Sequence, residues 1–321
     1  MRWNASSVVP SMPSFRSVLT LRSKPVRALL SLSRRQAGIR TAFLLGPAVG
    51  WIVLFAIIPL GLVAGYSFLH SGASGAIAPT PTIENYTRIF FSPLYRRILG
   101  DSLIIGVEAT AITLLLGYPV GYYLGRLKSR FAPLLVLLVM LPFWTSYLVR
   151  IFAWLLILMD NGVINWALSS LNVIASPVQL LYTRLGVVIG IVYSALPFAI
   201  LPVYAVVSGI DQDFVDAAQV LGADEGAAFR EIIFPMSLPG LVAAAILTFI
   251  YAVGSFLAPA ILGGNSAVMI SNVIINVFLI LFNWPFACAL TIALLLIMLV
   301  VLGATSRVLS VESLYGGRGK S

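Results

Sequence analysis

The chain has 321 residues, 60% hydrophobic and only 10% charged, against roughly 45–50% and about 25% in soluble proteins, and its mean hydropathy is +1.02. A water-soluble fold of this size cannot hide so much apolar surface, so soluble enzyme, disordered tail and secreted disulfide scaffold are excluded and an integral membrane protein remains. The net charge of +9 does not point to nucleic acid, because the basic residues lie where a membrane topology wants them, and a single Cys288 and a single His70 cannot build a disulfide, zinc or haem site.

Residues 1–41 carry Arg2, Arg16, Arg22, Lys24, Arg27, Arg34, Arg35 and Arg40, many serines and no acid. The pattern has the look of a transit peptide, and Ser33-Arg34-Arg35 that of a twin-arginine signal. No small-residue cleavage site follows a short apolar stretch, so the preferred reading is a disordered basic extension on the cytoplasmic side, anchoring orientation and touching anionic headgroups.

Thr41–Ile83 and Ile232–Ser306 contain no Asp, Glu, Lys or Arg. About 20 apolar residues cross the hydrocarbon core as a helix. Six spans are expected: Ala42–Phe68, Ser102–Leu124, Phe131–Leu156, Leu185–Val207, Leu238–Leu262 and Pro285–Ser306. Ser266–Asn283 is apolar but holds Ser271, Asn272, Asn276 and Asn283, and reads either as a seventh span or as a helix packed at the outer face. With six spans and the N-terminus inside, only Arg88, Arg96, Arg97, Arg150 and Arg184 of the 20 basic residues lie outside. A seventh span would add Arg307, Arg318 and Lys320 to them, so the positive-inside rule selects six. The spanning domain is therefore 42–306, with a cytoplasmic tail over 307–321. Gly117, Gly121 and Gly125, and again Gly186 and Gly190, form small-xxx-small ladders for close helix contact.

Intramembrane charge marks function by default. Glu108 lies about 10 Å into the second span and suits a cationic solute, or else a hydrogen bond to an asparagine or tyrosine of a neighbouring helix. Arg150 and Asp160, near the outer end of the third span, read as a structural pair. Trp144, Trp154, Trp166 and Trp284 read as interfacial anchors. Tyr251, Asn272 and Asn276 either line a path or join helices.

Between the fourth and fifth spans, residues 211–235 hold Asp211, Asp213, Asp216, Asp224, Glu225 and Glu231, more than half of the chain's 11 acids. A loop this long with its own structure is usually functional. It reads as helix, glycine turn, helix. Asp211 and Asp213 suit an N-terminus, and Phe214, Ala217, Ala218 and Leu221 share one face. Gly222 ends the first helix at positive φ, Phe229, Ile232 and Ile233 continue the apolar face, and Pro235 stops it. An amphipathic helix lying on the membrane is the competing reading.

The string Asp216-Ala217-Ala218, three residues, Gly222, nine residues, Ile232, one residue, Phe234-Pro235 resembles the EAA motif of ABC importer permeases, Glu-Ala-Ala-x₃-Gly-x₉-Ile-x-Leu-Pro. Asp216 stands for Glu and Phe234 for Leu. Leu141-Pro-Phe-Trp-Thr-Ser-Tyr-Leu-Val-Arg150, Asn161-Gly-Val-Ile-Asn165, Ser255-Phe-Leu-Ala-Pro259 and Asn283-Trp-Pro-Phe286 are similar to the spermidine/putrescine branch, and the likeness runs from Ala42 to Arg307. The resemblance implies an all-α type I permease with six transmembrane helices in a bacterial inner membrane. It implies a coupling helix in which Asp216, Ala217, Ala218 and Gly222 dock on an ATP-hydrolysing subunit, while Ile232 and Pro235 set the return into the fifth span. The implied partners are two such subunits, a second permease that is a paralogue in the family's pattern, and an extracytoplasmic solute-binding protein; no cofactor or metal is implied. Gly316-Gly-Arg-Gly319-Lys320-Ser321 imitates a phosphate-binding loop but has Leu314 where the first glycine belongs, so energy must come from a partner. The competing class is a self-powered secondary transporter or channel, which calls for inverted repeats, broken helices or an ionisable relay. A membrane-bound enzyme has one histidine and no clustered intramembrane acids to work with.

Overall fold

The computed structural model describes residues 46, 47, 49–72 and 77–308. The basic segment 1–41, the start of the first expected span and the tail beyond residue 308 lie outside the described residues. The chain divides into two units, Met1–Leu62 and Val63–Ser321. The first unit supplies most of helix α1 (Val49–Ser67).

The second unit continues with a short antiparallel hairpin, β1 (Leu69–Ser71) and β2 (Ile77–Pro81), in which His70 faces Ala78 and Ser71 faces Ile77. Helix α2 (Glu84–Phe91) follows, and its Asn85 Nδ2 donates to the carbonyls of Ser67 and Leu69 at 3.0 and 2.9 Å. Then come α3 (Pro93–Arg126), α4 (Ala132–Met140), α5 (Tyr147–Leu158), α6 (Val163–Ser170), α7 (Arg184–Val207), α8 (Gln212–Val220), α9 (Glu225–Ala228), α10 (Phe234–Gly254), α11 (Ile270–Leu279) and α12 (Trp284–Val308). Six helical stretches among the described residues are long and apolar enough to cross a membrane, as expected from the sequence.

Two of those stretches depart substantially from the expected bounds. The expected third span, Phe131–Leu156, is broken. α4 tightens into a 3₁₀ turn at Leu141–Trp144, Thr145 and Ser146 are extended, and α5 starts anew at Tyr147. Pro142 has no N–H to give and restrains Leu141, so a regular helix cannot run through. The apolar length that suffices is Tyr147–Ser170, α5 and α6 together. The expected fifth span, Leu238–Leu262, starts earlier and ends at Gly254, because Ser255 is extended; Pro259–Gly263 forms a separate π-turn. Pro235 does not stop the helix: Glu225–Gly254 is one helical run. A π-turn at Phe229–Ile233 precedes the proline, and the Phe234 N–H reaches back five residues to the Phe229 carbonyl. The same device precedes Pro59, where the Ile58 N–H reaches Val53. The wider turn absorbs the missing donor. The Ser266–Asn283 ambiguity is settled by length, since α11 has 10 residues, about 15 Å, and packs on α12 instead of spanning.

The core of this unit has two main parts. One lies between α3, α5, α7 and the Pro259–Gly263 turn around Ile105, Ile151, Val187, Ile191 and Leu262; the other lies between α2, α3, α10, α11 and α12 around Ile89, Phe249, Ile270 and Leu290. The glycine ladder does what its spacing promised. A Cβ on Gly117, Gly121 or Gly125 would stand 2.7–2.8 Å from Ala199 Cβ, the Ile200 carbonyl or Val207 Cγ1, so α3 and α7 are in backbone contact along three turns.

Candidate functional site

The 211–235 segment folds as read, helix, glycine turn, helix. Asp211 caps α8 by accepting from the Asp213 N–H at 3.2 Å, and Asp224 caps α9 by accepting from the Ala227 N–H at 2.6 Å. At the end of α8 the Ala223 N–H donates to the Ala218 carbonyl and the Gly222 N–H to the Gln219 carbonyl, both at 3.0 Å, with Gly222 at φ +94°. That pair of bonds is a Schellman closure, which requires positive φ at the glycine. The sequence placed that turn correctly.

The faces sort as follows. Val215 is the buried residue of α8 and packs with Ile210, Ala228 and Ile233; Phe229 and Met236 border this small core. Phe229 and Ile233 therefore turn inward instead of extending the outer apolar face. Phe214, Ala217, Val220 and Leu221 face out, and Val220 and Leu221 are 87% and 89% exposed. Asp216 is exposed, and its Oδ1 accepts from Gln212 Nε2 at 2.9 Å. Ile232 is half-buried and Pro235 exposed at the entry to α10. A helix this short cannot hold such a face in water by propensity alone; its two caps and the core beneath fix it. The surface can accept an apolar groove of another protein.

A second constellation sits where α5 begins and α10 ends. Tyr147 OH and Ser255 Oγ share a hydrogen bond at 3.0 Å, Ser271 Oγ donates to the Ser255 carbonyl at 2.6 Å, and Asn272 Nδ2 donates to the Phe256 carbonyl at 2.9 Å. The bonds from Ser271 and Asn272 satisfy carbonyls freed by the break at Ser255, as irregular chain at membrane depth demands. Tyr251 lies against Tyr147 and Phe198, with ring centroids at 6.3 and 5.2 Å. The Arg150 guanidinium lies over the Phe143 and Tyr147 rings at 5.8 and 5.5 Å. Arg150 Nε and Nη1, Ser194 Oγ and Asn272 Oδ1 are buried without a hydrogen-bond partner among the described residues.

Glu108 is elsewhere. Its carboxylate takes both Arg184 Nε at 2.9 Å and Nη2 at 2.6 Å, a bidentate pair at the edge of an apolar cavity of about 750 Å³ walled by Trp154, Val188 and Tyr193. The partner is thus an arginine, not the asparagine or tyrosine considered from sequence, and about two-fifths of each side chain is exposed. Of the expected path residues the structure brings Tyr251 and Asn272 to one break, keeps Glu108 apart, and leaves Asn276 exposed on α11. Arg150 and Asp160 form no pair: they stand ten positions apart along α5 and its end, about 15 Å, and Arg150 rests on aromatic rings. Trp154 is not a free anchor, since it packs edge-on to Tyr193 at 5.5 Å, whereas Trp144 and Trp166 are exposed. Sequence reasoning passed over Tyr147, Ser255, Ser271 and Arg184. The signal available for Tyr147 and Ser255 was a polar group within an apolar run, four or five positions from Pro142 and Pro259.

Residues 114–309 match the family described as binding-protein-dependent transport system inner membrane component. A spermidine/putrescine transport system permease protein of Haemophilus influenzae is 39% identical over 248 residues, 77% of this chain and 86% of the relative. Its counterpart in Escherichia coli is 37% identical over 265 residues, 82% of this chain and 96% of the relative. Among solved structures, a chain of a bacterial ABC transporter involved in import of the acidic polysaccharide alginate superposes with a TM-score of 0.66 at 19% identity, covering 86% of this chain and 98% of that one. The same transporter in complex with an alginate pentasaccharide-bound periplasmic protein gives 0.67 at 18% identity, covering 85% and 94%. At that identity the likeness concerns the fold.

Proposed function

This chain belongs to the binding-protein-dependent transport inner membrane component family, and on that premise we propose that it is the permease subunit of an ABC importer for a polyamine such as spermidine or putrescine. It is a multi-pass inner-membrane transport component, not an enzyme in its own right. Two ATP-hydrolysing subunits bind the α8 surfaces of this chain and of a second, paralogous permease, and an extracytoplasmic binding protein delivers the solute. The charge distribution supports cytoplasmic N- and C-termini and a cytoplasmic α8.

The observation that carries this reading is the exposed apolar face of α8, on a doubly capped helix at the position of the EAA-like string. Asp216, Ala217, Ala218 and Gly222 form the docking core, and Ile232 and Pro235 carry its movement into α10. Closure of the ATPase pair draws the coupling helices together and swings the spans between inward- and outward-facing states. Tyr251 and Asn272, with Tyr147, line the path where α5 and α10 are broken. Glu108 offers a carboxylate to a cationic solute, in competition with Arg184.

The breaks at Leu141–Ser146 and at Ser255 are also what a secondary transporter uses, so one experiment must separate the two readings. Proteoliposomes holding this chain with its partner permease should take up spermidine only when the ATP-hydrolysing subunit, ATP and the solute-binding protein are supplied. Uptake driven by a solute or ion gradient alone supports the secondary transporter instead.

A further inference from the structure

The coupling segment is joined by peptide bonds to α7 and α10, yet the most extensive side-chain grip on it comes from α3. Tyr118, Tyr122 and Arg126 recur at intervals of four on the last turns of α3 and so form one stripe. Arg126 Nη1 donates to the Ile210 carbonyl at 3.5 Å and Nη2 to Gln212 Oε1, and Gln212 in turn donates to Asp216. A relay thus runs from α3 through the start of α8 to the first residue of the EAA-like string. One turn back, the Tyr122 ring meets Phe229 edge-on at 5.2 Å and borders the Val215–Ile233 core. One turn further, the Tyr118 hydroxyl shares a 2.8 Å hydrogen bond with Ser237, which is fully buried, and its ring meets Phe234 edge-on at 5.9 Å. The stripe therefore holds both limbs of the segment, α8 on one side and the root of α10 on the other. Next to it on the same helix runs the glycine stripe Gly117, Gly121, Gly125, seated on α7 without room for a methyl group. Glu108 stands about 27 Å up α3 from Arg126 at 1.5 Å per residue, so one continuous helix links the coupling segment to the Glu108–Arg184 pair.

We propose that α3 is the transmission element of this subunit, and that Tyr118, Tyr122 and Arg126 are positioning residues which pass the displacement of α8 into the α3–α7 body. Packed helices move as bodies and do not stretch. A push on α8 that reached the bundle only through its two chain connections would have to pass through the Gly209–Asp211 link, where helical bonding ends, and the π-turn at Phe229–Ile233, where it widens to a five-residue reach. The guanidinium at Arg126 bypasses the first and the Tyr122 ring the second. Arg suits the task because its planar fork reaches two acceptors at once, the carbonyl of Ile210 and the amide of Gln212.

This inference rests on the docking role of α8, and its test uses the complete importer in proteoliposomes, reading solute moved per ATP hydrolysed. Arg126→Gln should leave the ATP-hydrolysing subunit bound in wild-type amount, because the outward face of α8 is untouched, and should lower the transport-to-hydrolysis ratio about tenfold, the loss typical of a charge-assisted hydrogen bond. Gln212→Leu, from the other end of the bond, should give a similar drop, and the double variant should be no worse than either single one, since both remove the same link. Arg126→Lys should recover part of the ratio. A wild-type ratio in Arg126→Gln overturns the proposal, as does a double variant whose losses multiply. Loss of bound ATPase in step with transport also overturns it, by showing that Arg126 merely keeps α8 folded. Failure of the underlying reading looks different, because then the wild-type protein itself shows no ATP-dependent uptake.

Discussion

Replacing Gly222 separates backbone geometry from side-chain contact at the coupling segment. The residue sits at φ +94° and closes α8 through two backbone bonds of 3.0 Å, yet a Cβ built on it meets nothing within 4 Å. Substitution is therefore free of collision, and its cost is conformational alone. A single L-residue held at positive φ costs about 1 kcal/mol as alanine and about 2 kcal/mol as valine, whose branched Cβ is stiffer there. At about 1.4 kcal/mol per factor of ten, the closed turn becomes about fivefold scarcer for Gly222→Ala and about thirtyfold scarcer for Gly222→Val. The spans do not involve this turn, so the amount of protein inserted in the membrane should not change. The assay is ATP-dependent uptake alongside the quantity of ATP-hydrolysing subunit that co-purifies. Both should fall in the order Gly, Ala, Val, with Asn milder than Val because it tolerates the left-handed region. Wild-type uptake and co-purification in Gly222→Val would refute the reasoning. A worse result for Ala than for Val would also do so, since that order belongs to a lost contact and not to a torsional cost.

Other outcomes follow from the packing and the ion pair. Gly121→Val puts a Cβ 2.8 Å from the Ile200 carbonyl, where no flexible side chain can yield; it should cost about 1–3 kcal/mol and appear as reduced thermal stability in detergent, with an unchanged melting point arguing that α3 and α7 are not in backbone contact. Glu108→Gln removes a pair that is partly exposed and therefore worth at most about 1 kcal/mol. Stability should barely move, while the apparent affinity for a diammonium solute should weaken by about fivefold; unchanged affinity would leave Glu108 as a partner of Arg184 only. Tyr147→Phe removes the hydrogen bond to Ser255, which should cost about 1 kcal/mol of stability and slow uptake without affecting ATPase binding. Equal uptake would place the path away from the break at Ser255.

What the sequence made legible was whatever depends on local chemistry or on composition. Charge-free windows and the alternation of basic residues gave the number of spans, and Asp211 and Gly222 marked the coupling segment because capping and positive φ have their own residue requirements. What it hid depends on partners distant in the chain. Nothing in the apolar run Leu238–Leu262 says that the helix breaks at Ser255, since that turns on Ser271 and Asn272, 16 positions on, bonding the carbonyls of Ser255 and Phe256. Pro235 reads as a stop because proline removes a donor, but a π-turn placed before it supplies an alternative bond. Glu108 calls for a polar neighbour on an adjacent helix, whereas Arg184 reads from the charge pattern as a residue of the outer side. Its position at the first turn of α7 lets a long side chain reach inward.

The most direct measurement uses the exposure of Leu221 and the burial of the single native cysteine, Cys288. A Leu221→Cys variant in membranes holding the assembled importer should crosslink to the ATP-hydrolysing subunit, in a manner that changes when ATP is bound, and should resist an impermeant thiol reagent applied from the outer side. Labelling from that side, or full ATP-driven uptake from a protein that never crosslinks, would contradict the account of α8 as the seat of the motor.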